Sequence, residues 1–358
     1  MTALTVSGRP AENANLRPVP WRRMAWVTWR QHRLALTGVA VFLGALAVIL
    51  WRVGLGLHHA YGAAAACRPV TSPSCDQLQT RFADMDAFLA NGYVLQAVPA
   101  LIGAFAGAPV LARELETGTF RFAWTQSFGR WRWTLAKLGP LAVAVTAVAG
   151  ALSVLLSWYY EPYLTASNRF LTGESPLANF FVLRGVAFAA WTLTAFAVGA
   201  LAGMLTRRVV PAIAATLVGY TLLAFTTGLY LREHYLAPLI SKNLFSPAPS
   251  AWIISEWWTK GGRTLGQSTM SPLLNRMFFQ LLPVVHASAA QGSDVKDQKG
   301  QTNLDILRYL AHHGYAQWTR YQPASRFWPF QWIEAGWLLA LSGLLIAATI
   351  WLVRRRAA

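Results

Sequence analysis

The chain has 358 residues, of which 55% are hydrophobic and only 13% are charged. A soluble globular domain carries about 25% charged residues, so this composition excludes an ordinary cytosolic enzyme. The 31 Lys and Arg against 14 Asp and Glu give a net charge of +17, which in a soluble protein would indicate nucleic-acid binding. Because the chain also carries long apolar runs and has a mean hydropathy of +0.35, the composition predicts a membrane protein and no nucleic-acid partner.

Six stretches contain no Asp, Glu, Lys or Arg, and each is 18 to 23 residues long. A helix needs about 20 apolar residues to cross a hydrocarbon core about 30 Å thick. In lipid, the only other spanning form is a closed barrel, whose strands alternate in polarity. The sequence therefore predicts an all-α membrane protein with six transmembrane helices. The stretches are 34–51, 93–112, 138–158, 185–206, 209–231 and 335–353.

The predicted spans divide the chain into four parts. Residues 1–33 form a cytoplasmic tail whose basic, Trp-containing segment 21–33 predicts an interfacial helix; a merely basic tail is the alternative. Residues 34–231 hold the first five helices, 232–331 form a large extracellular loop domain, and 332–358 hold the sixth helix and a basic cytoplasmic end. No removed signal peptide is expected, because no small-residue cleavage site follows a compact apolar stretch near the start.

The distribution of basic residues predicts the orientation of the chain. Six spans place both termini on one side, and that side carries sixteen Lys or Arg, whereas the short connections of the other side carry five. Short cytoplasmic loops are enriched in basic residues, and a loop as long as 232–331 is not counted. Both termini are therefore predicted to be cytoplasmic in a multi-pass protein of the cell membrane, with anionic lipid attracted to the basic side.

The sequence predicts one disulfide and one close contact between helices. Cys67 and Cys75 are the only cysteines, and both fall in the first outer loop, where a pair of thiols predicts a disulfide and is too small for a structural zinc site. The second and fourth predicted spans each carry a Gly-x-x-x-Gly motif, at 103–107 and 199–203. These motifs predict close helix packing, with a dedicated dimer face as the alternative.

The large outer loop contains three recognisable segments. Residues 277–285 are apolar but too short to span, so they are predicted to be buried or re-entrant. Asn303 is a candidate first residue of a short helix that stops at Gly314. An aromatic stretch at 318–332 leads into the last span, and it is either an interfacial anchor or a surface that contacts substrate.

Signatures of catalysis are missing from the sequence. No metalloprotease, serine hydrolase or nucleotide-binding motif occurs, and the acids Asp84, Asp86 and Glu334 show no catalytic partner. No carboxylate or basic residue lies inside a charge-free run, which disfavours a carrier coupled to protons or sodium. The chain is therefore expected not to be an enzyme and to hold no metal or cofactor of its own.

The segment 112–137, between the second and third predicted spans, carries most of the functional signal. It begins with Arg-Glu-Leu-Glu-Thr-Gly-Thr, and the residues after it place Phe and Trp on one side of a short amphipathic helix. Such a helix would lie across the cytoplasmic face and needs a surface to dock on. The residues concerned are Arg113, Glu114, Glu116, Gly118, Thr119, Phe120 and Trp124.

This run and the aromatic helix after it resemble the first coupling region of permease subunits in type-2 ABC exporters, in the style of actinobacterial drug and peptide exporters. The six spans and the enlarged last loop agree with that family, whereas residues 245–315 have no counterpart. The resemblance implies a homodimer of permease chains that exports a small molecule, drug or peptide. It also implies that the residues just named contact a separate ATP-binding subunit, which would hold ATP and Mg.

The resemblance further implies that the second and fifth spans line the exit path. Four polar residues there would face substrate, although hydrogen bonds between helices explain them equally well: Gln96, Tyr220, Thr226 and Thr227. Two other classes of function stay open. A membrane-anchored sensor or assembly factor would use the outer loop as a ligand-binding domain, and a membrane-embedded enzyme would need a cluster of acids or histidines at the membrane surface.

Overall fold

The computed structural model describes residues 21–67, 73–86, 93–118, 130–167, 175, 177–178, 180–242, 250–266, 268–277, 306 and 308–356. Within these residues, six helices are long and apolar enough to cross a membrane, which confirms the predicted all-α membrane fold. They are called spans 1 to 6 and comprise Thr37–Ala66, Val94–Thr117, Trp131–Thr165, Val186–Thr206, Val209–His234 and Ala324–Arg355.

Several helices extend beyond the charge-free runs that predicted them. Span 1 is part of a single helix, Trp21–Ala66, so the helix predicted at 21–33 is present but continues into the first span without an end at residue 33. Span 3 lies within the helix Arg130–Ser167, and span 6 begins with a short 3-10 turn, Ala324–Arg326, and continues in the helix Phe327–Arg356. A charge ends an apolar run but does not end a helix, because Arg and Glu are good helix formers.

Span 4 lies at the centre of the bundle and contacts spans 2, 3, 5 and 6. Its most apolar window is 72% buried, against 17% for spans 1 and 5, whose outward residues are left to face lipid. Large side chains of span 4, among them Phe188, Trp191 and Phe196, are buried. The bundle is thus arranged around one central helix.

Spans 2 and 4 pack backbone against backbone through the two Gly-x-x-x-Gly motifs. A Cβ atom added at Gly103 would lie 2.5 Å from the carbonyl oxygen of Ala195, and one added at Gly199 would lie 2.4 Å from that of Gly103. Gly107 and Gly203 make approaches of the same kind. Only glycine fits these positions, which confirms the predicted packing role of both motifs.

A short helix, Pro73–Asp86, packs beside the end of span 1. The predicted disulfide between Cys67 and Cys75 is confirmed, with the two Cα atoms 5.7 Å apart. The Phe82 ring lies 5.9 Å from the ring of Tyr61 in span 1. The disulfide therefore closes a helical hairpin whose two arms also share an aromatic contact.

A four-stranded antiparallel sheet follows span 5, and the sequence analysis did not predict it. The strands are β1 (Leu239–Lys242), β2 (Trp252–Lys260), β3 (Arg263–Leu265) and β4 (Tyr315–Gln322), in the spatial order β1-β4-β2-β3. Gly261 and Gly262, with φ of 53° and 79°, form the two-residue turn between β2 and β3.

Two short helices, at 268–277 and 308–312, accompany the sheet. The second stops before Gly314, whose φ of 76° ends the helix as predicted. The predicted helix start at Asn303 and residues 278–285 of the apolar segment lie outside the described residues. The bundle therefore has two distinct ends. The sheet end carries the four strands, and the tail end is where α-helical chain enters span 1 and where span 2 stops.

Candidate functional site

The residues with the predicted coupling role lie at the tail end, where span 2 stops. Its helix ends at Thr117, and Gly118 follows with φ of 71°, a left-handed conformation that glycine adopts without strain. Arg113 is exposed to solvent. Thr119, Phe120 and Trp124 lie outside the described residues, so the predicted amphipathic helix stays a prediction.

Glu114 forms an ion pair with Lys137 near the start of span 3. Both side chains are nearly inaccessible, with 13% and 5% of their surfaces exposed. The Lys137 ammonium also lies 5.2 Å from the centre of the Trp133 ring. Among the described residues, the second carboxylate oxygen of Glu114 is buried without a hydrogen-bond partner. This glutamate therefore ties span 2 to span 3 within the chain.

Glu116 makes a different connection from the same helix end. Its Oε2 atom accepts a hydrogen bond of 3.0 Å from the backbone N–H of Val209, the first residue of span 5. A carboxylate at a helix N-terminus satisfies an otherwise unpaired N–H and is favoured by the helix dipole. The end of span 2 is thus bonded to spans 3 and 5, while Arg113 beside it stays open to solvent.

Of the four residues predicted to line a substrate path, the fold brings two into contact. The Tyr220 hydroxyl donates a hydrogen bond of 3.4 Å to the backbone carbonyl of Gln96, which joins spans 5 and 2. Thr227 is buried and Thr226 is exposed, and each hydroxyl donates to the carbonyl four residues earlier in its own helix. Gln96 and Tyr220 therefore lie together, whereas Thr226 faces out of the bundle.

A buried polar cluster at the sheet end was not foreseen as a unit. The Glu334 carboxylate is completely buried and accepts four hydrogen bonds. Two come from the Arg232 guanidinium at 3.0 Å each, one from the Trp191 indole at 2.7 Å, and one from the Tyr235 hydroxyl at 3.1 Å. The sequence showed no partner for Glu334, and the structure brings three to it, none of which is an acid or a histidine. These four residues are called the Glu334 cluster.

A π-helical turn, Thr227–Leu231, directs Arg232 into the bundle. In an α-helix, residues five apart point about 140° away from each other. A π-helical turn bonds residues five apart and brings them toward the same side. Thr227 and Arg232 are accordingly both buried, whereas Leu229 and Tyr230 between them are exposed. An arginine that follows an apolar run in the sequence thus lies inside the protein.

The Glu334 cluster extends to neighbouring aromatic side chains. Burial, and after it the charge of Glu334, raises the pKa of the Tyr235 hydroxyl, which therefore stays protonated and able to donate. The Trp337 indole donates to the same hydroxyl at 3.0 Å. The Trp191 ring stands edge-on to the Tyr220 ring, with centroids 5.5 Å apart. The cluster thus connects spans 4, 5 and 6 with the Gln96–Tyr220 contact.

One signal in the sequence could have found this cluster. Arg232 and Glu334 flank the large loop on its two sides, one directly after the fifth apolar run and the other directly before the sixth. Opposite charges at two neighbouring helix ends predict a pair. In the described part of the chain, no three His, Cys, Asp or Glu side chains lie close enough together to hold a metal ion.

A family model described as ABC-2 membrane transporter related matches residues 36–232, more than half of the chain. No curated protein and no solved structure matches. The matched range runs from span 1 to Arg232, so it includes the residues with the predicted coupling role and ends before the first strand of the sheet. With its six membrane-spanning helices, the chain is a transporter permease that belongs to the ABC-2 membrane transporter related family.

Proposed function

We propose that this permease is the membrane subunit of an ATP-driven exporter, which moves a small molecule, drug or peptide out of the cell. The observation that carries the proposal is the bonding of one helix end to two others. Glu114 joins the end of span 2 to span 3, and Glu116 joins it to span 5. A force applied at this end therefore reaches three spans through an ion pair and a helix cap.

The energy would come from a separate ATP-binding subunit, which membership of this family implies. That subunit would hold ATP and Mg, so this chain needs neither. Arg113 is exposed at the same helix end and is free to contact an acidic group of the subunit. The two glutamates then act as positioning residues, because they hold the helix end in place and transmit its movement to the neighbouring spans.

The exit path would run between spans 2 and 5, where Gln96 and Tyr220 lie together. The resemblance to type-2 ABC exporters supports a homodimer, in which two copies would enclose the path. The excess of basic residues at the tail end supports a cytoplasmic position for both termini. The ATP-binding subunit would then dock on the side where ATP is available.

The membrane-embedded enzyme is less well supported. Glu334 was one of its candidate acids, and this carboxylate is fully buried and bonded to Arg232, Trp191 and Tyr235. A general acid or base needs to reach its substrate within hydrogen-bond distance. A carboxylate that is enclosed in this way serves packing and charge compensation better than catalysis.

Affinity purification from native membranes tests the proposal. The wild-type chain should carry an ATP-binding subunit, and Arg113→Glu should lower its recovery because the exposed charge is reversed. Arg354→Glu is the matched control, since Arg354 is also an exposed arginine at the tail end and lies on span 6. Recovery of no ATP-binding subunit with the folded wild-type chain would contradict the proposal, and equal recovery with both variants would remove Arg113 from the contact.

A further inference from the structure

The two faces of the sheet have different surroundings. On one face, Trp258 and Tyr315 pack against Met270, Ile306 and Leu310 of the accompanying helices. This is called the covered face. Because side chains alternate along a strand, the neighbours Trp257 and Trp318 lie on the opposite face, which is called the open face. The two tryptophans are register partners in β2 and β4.

The open face sits on the transmembrane bundle at one end of β4. Gln322 is completely buried and donates a hydrogen bond of 2.7 Å to the carbonyl of Leu236, just after span 5. Its register partner Trp252 packs in the cluster that contains Phe330 of span 6. Gln322 and Trp318 therefore lie on the same face of the sheet. Along β4 the two residues are about 13 Å apart.

Beyond the bundle, the open face forms a hollow of about 460 Å³. The rings of Trp257 and Trp318 are parallel to within 3°, with centroids 6.3 Å apart. The Trp318 indole donates a hydrogen bond of 3.0 Å to Thr259, which fixes the ring. The Lys242 ammonium lies 5.5 Å from the centre of the Trp318 ring. Residues of the bundle do not line this hollow, so nothing in the described chain covers it.

The two faces differ in charge by one acid. By the register of the strands, Lys242 and Arg320 lie on the open face, and Lys260 and Arg263 lie on the covered face, which also carries the acid Glu256. Ile240, also on the open face, exposes 59% of its surface. The open face therefore combines cations, indole rings and an exposed aliphatic side chain, without an acid among its described residues.

We propose that the open face docks on the phospholipid headgroups of the leaflet at the sheet end. Tryptophan rings prefer the membrane–water interface, and a Lys or Arg near the surface is attracted by anionic headgroups. The position of the face supports this occupant, because one end contacts the ends of spans 5 and 6 and the hollow at the other end is not lined by residues of the spans. The sheet then acts as a support that fixes the outer ends of these spans against the membrane surface.

Fluorescence quenching in nanodiscs tests this docking with the full-length protein. Cys67 and Cys75 are joined in a disulfide, so a thiol-reactive fluorophore labels only an introduced cysteine. Ala316→Cys places the label at the rim of the hollow, and Lys260→Cys places it on an exposed position of the covered face. A nitroxide attached to lipid headgroups should quench the first label strongly and the second weakly, and aqueous iodide should do the reverse.

Two outcomes would overturn the proposal. Equal quenching of both labels by iodide would show that the open face is in water. Protection of the Ala316→Cys label from both quenchers would show that protein covers it, whether the rest of this chain, a second copy or another chain. Neither outcome depends on ATP or on an ATP-binding subunit, so the docking can fail while the exporter proposal holds.

A second measurement tests the role of charge. In the Ala316→Cys background, Lys242→Gln should lower headgroup quenching in anionic nanodiscs to the level seen in zwitterionic ones. Lys260→Gln is the matched control, because Lys260 lies over the Tyr315 ring on the covered face, 4.2 Å from its centre, as Lys242 lies over Trp318. Equal quenching in the two lysine variants would exclude a contact between Lys242 and anionic lipid.

Discussion

The carboxylate of Glu334, at the start of span 6, accepts two hydrogen bonds from the guanidinium of Arg232, which lies 102 positions earlier at the end of span 5. The segment that carries the sheet lies between these two residues in the sequence. The ion pair therefore holds span 5 and span 6 together at the end of the bundle that carries the sheet. Because the pair is buried, removal of either partner alone leaves a charge without compensation.

We expect Glu334→Gln to lower the free energy of unfolding by about 3–5 kcal/mol, because Arg232 would keep a buried positive charge. The double variant Glu334→Leu/Arg232→Met should recover most of this loss, since both charges are then absent. Thermal unfolding of the purified protein in detergent measures both effects. Glu256→Gln is the control, because this acid in β2 is exposed, and it should be nearly neutral. A Glu334→Gln variant as stable as this control would show that the pair contributes little.

The contact between spans 2 and 4 leads to a second prediction. Gly199→Ala places a Cβ atom 2.4 Å from the carbonyl oxygen of Gly103, so the helices must separate, at a cost of about 1–3 kcal/mol. Gly343→Ala, in span 6, has no atom within 4 Å and should be neutral or stabilising. Unfolding temperatures and the yield of monodisperse protein compare the two variants. Equal values would mean that the helices do not pack through these glycines.

The disulfide leads to a third prediction. Cys67→Ser/Cys75→Ser should lower the free energy of unfolding by about 2–4 kcal/mol, because the unfolded chain is no longer constrained by the cross-link. Membrane insertion should be unchanged, since Phe82 still contacts Tyr61. Mass spectrometry without reduction should find the peptide that links the two cysteines in the wild-type protein. Two freely alkylated thiols would exclude the disulfide.

A fourth prediction concerns the ion pair at the tail end. Glu114→Gln and Lys137→Met should each destabilise the protein, whereas the double variant should lose less than the sum of the two, with an interaction energy of about 0.5–3 kcal/mol. A double-mutant cycle of unfolding free energies measures this quantity. Strict additivity would mean that the two side chains do not stabilise each other.

The spans, the glycine contacts and the disulfide could be predicted from the sequence because each depends on local composition or spacing. The sheet could not, since both faces of β2 carry tryptophans, and the usual alternation of apolar and polar residues is lost at Trp257 and Trp258. The inward direction of Arg232 depends on a π-helical turn that has no sequence signature. The partners of Glu334 come from three other parts of the chain, and only the fold brings them together.

The residues with the predicted coupling role also have partners that the sequence does not reveal. The Arg-Glu-Leu-Glu run correctly marks the end of span 2 as a special position, but it gives no sign that Glu114 and Glu116 bond to two different spans. Sequence alone favours direct contact of both acids with a partner subunit. The structure gives each acid a partner within the chain, and Arg113 is exposed.

Export from energised cells tests whether force passes from the tail end into the bundle. A panel of fluorescent drugs and peptides first identifies a compound that the wild-type chain exports together with its ATP-binding subunit. Glu116→Ala should retain the bound subunit and its ATP hydrolysis but lose export of that compound, because the bond from span 2 to Val209 is absent. Glu161→Ala, at an exposed acid of span 3, should export normally. Export by Glu116→Ala at the wild-type rate would contradict transmission of force from span 2 to span 5.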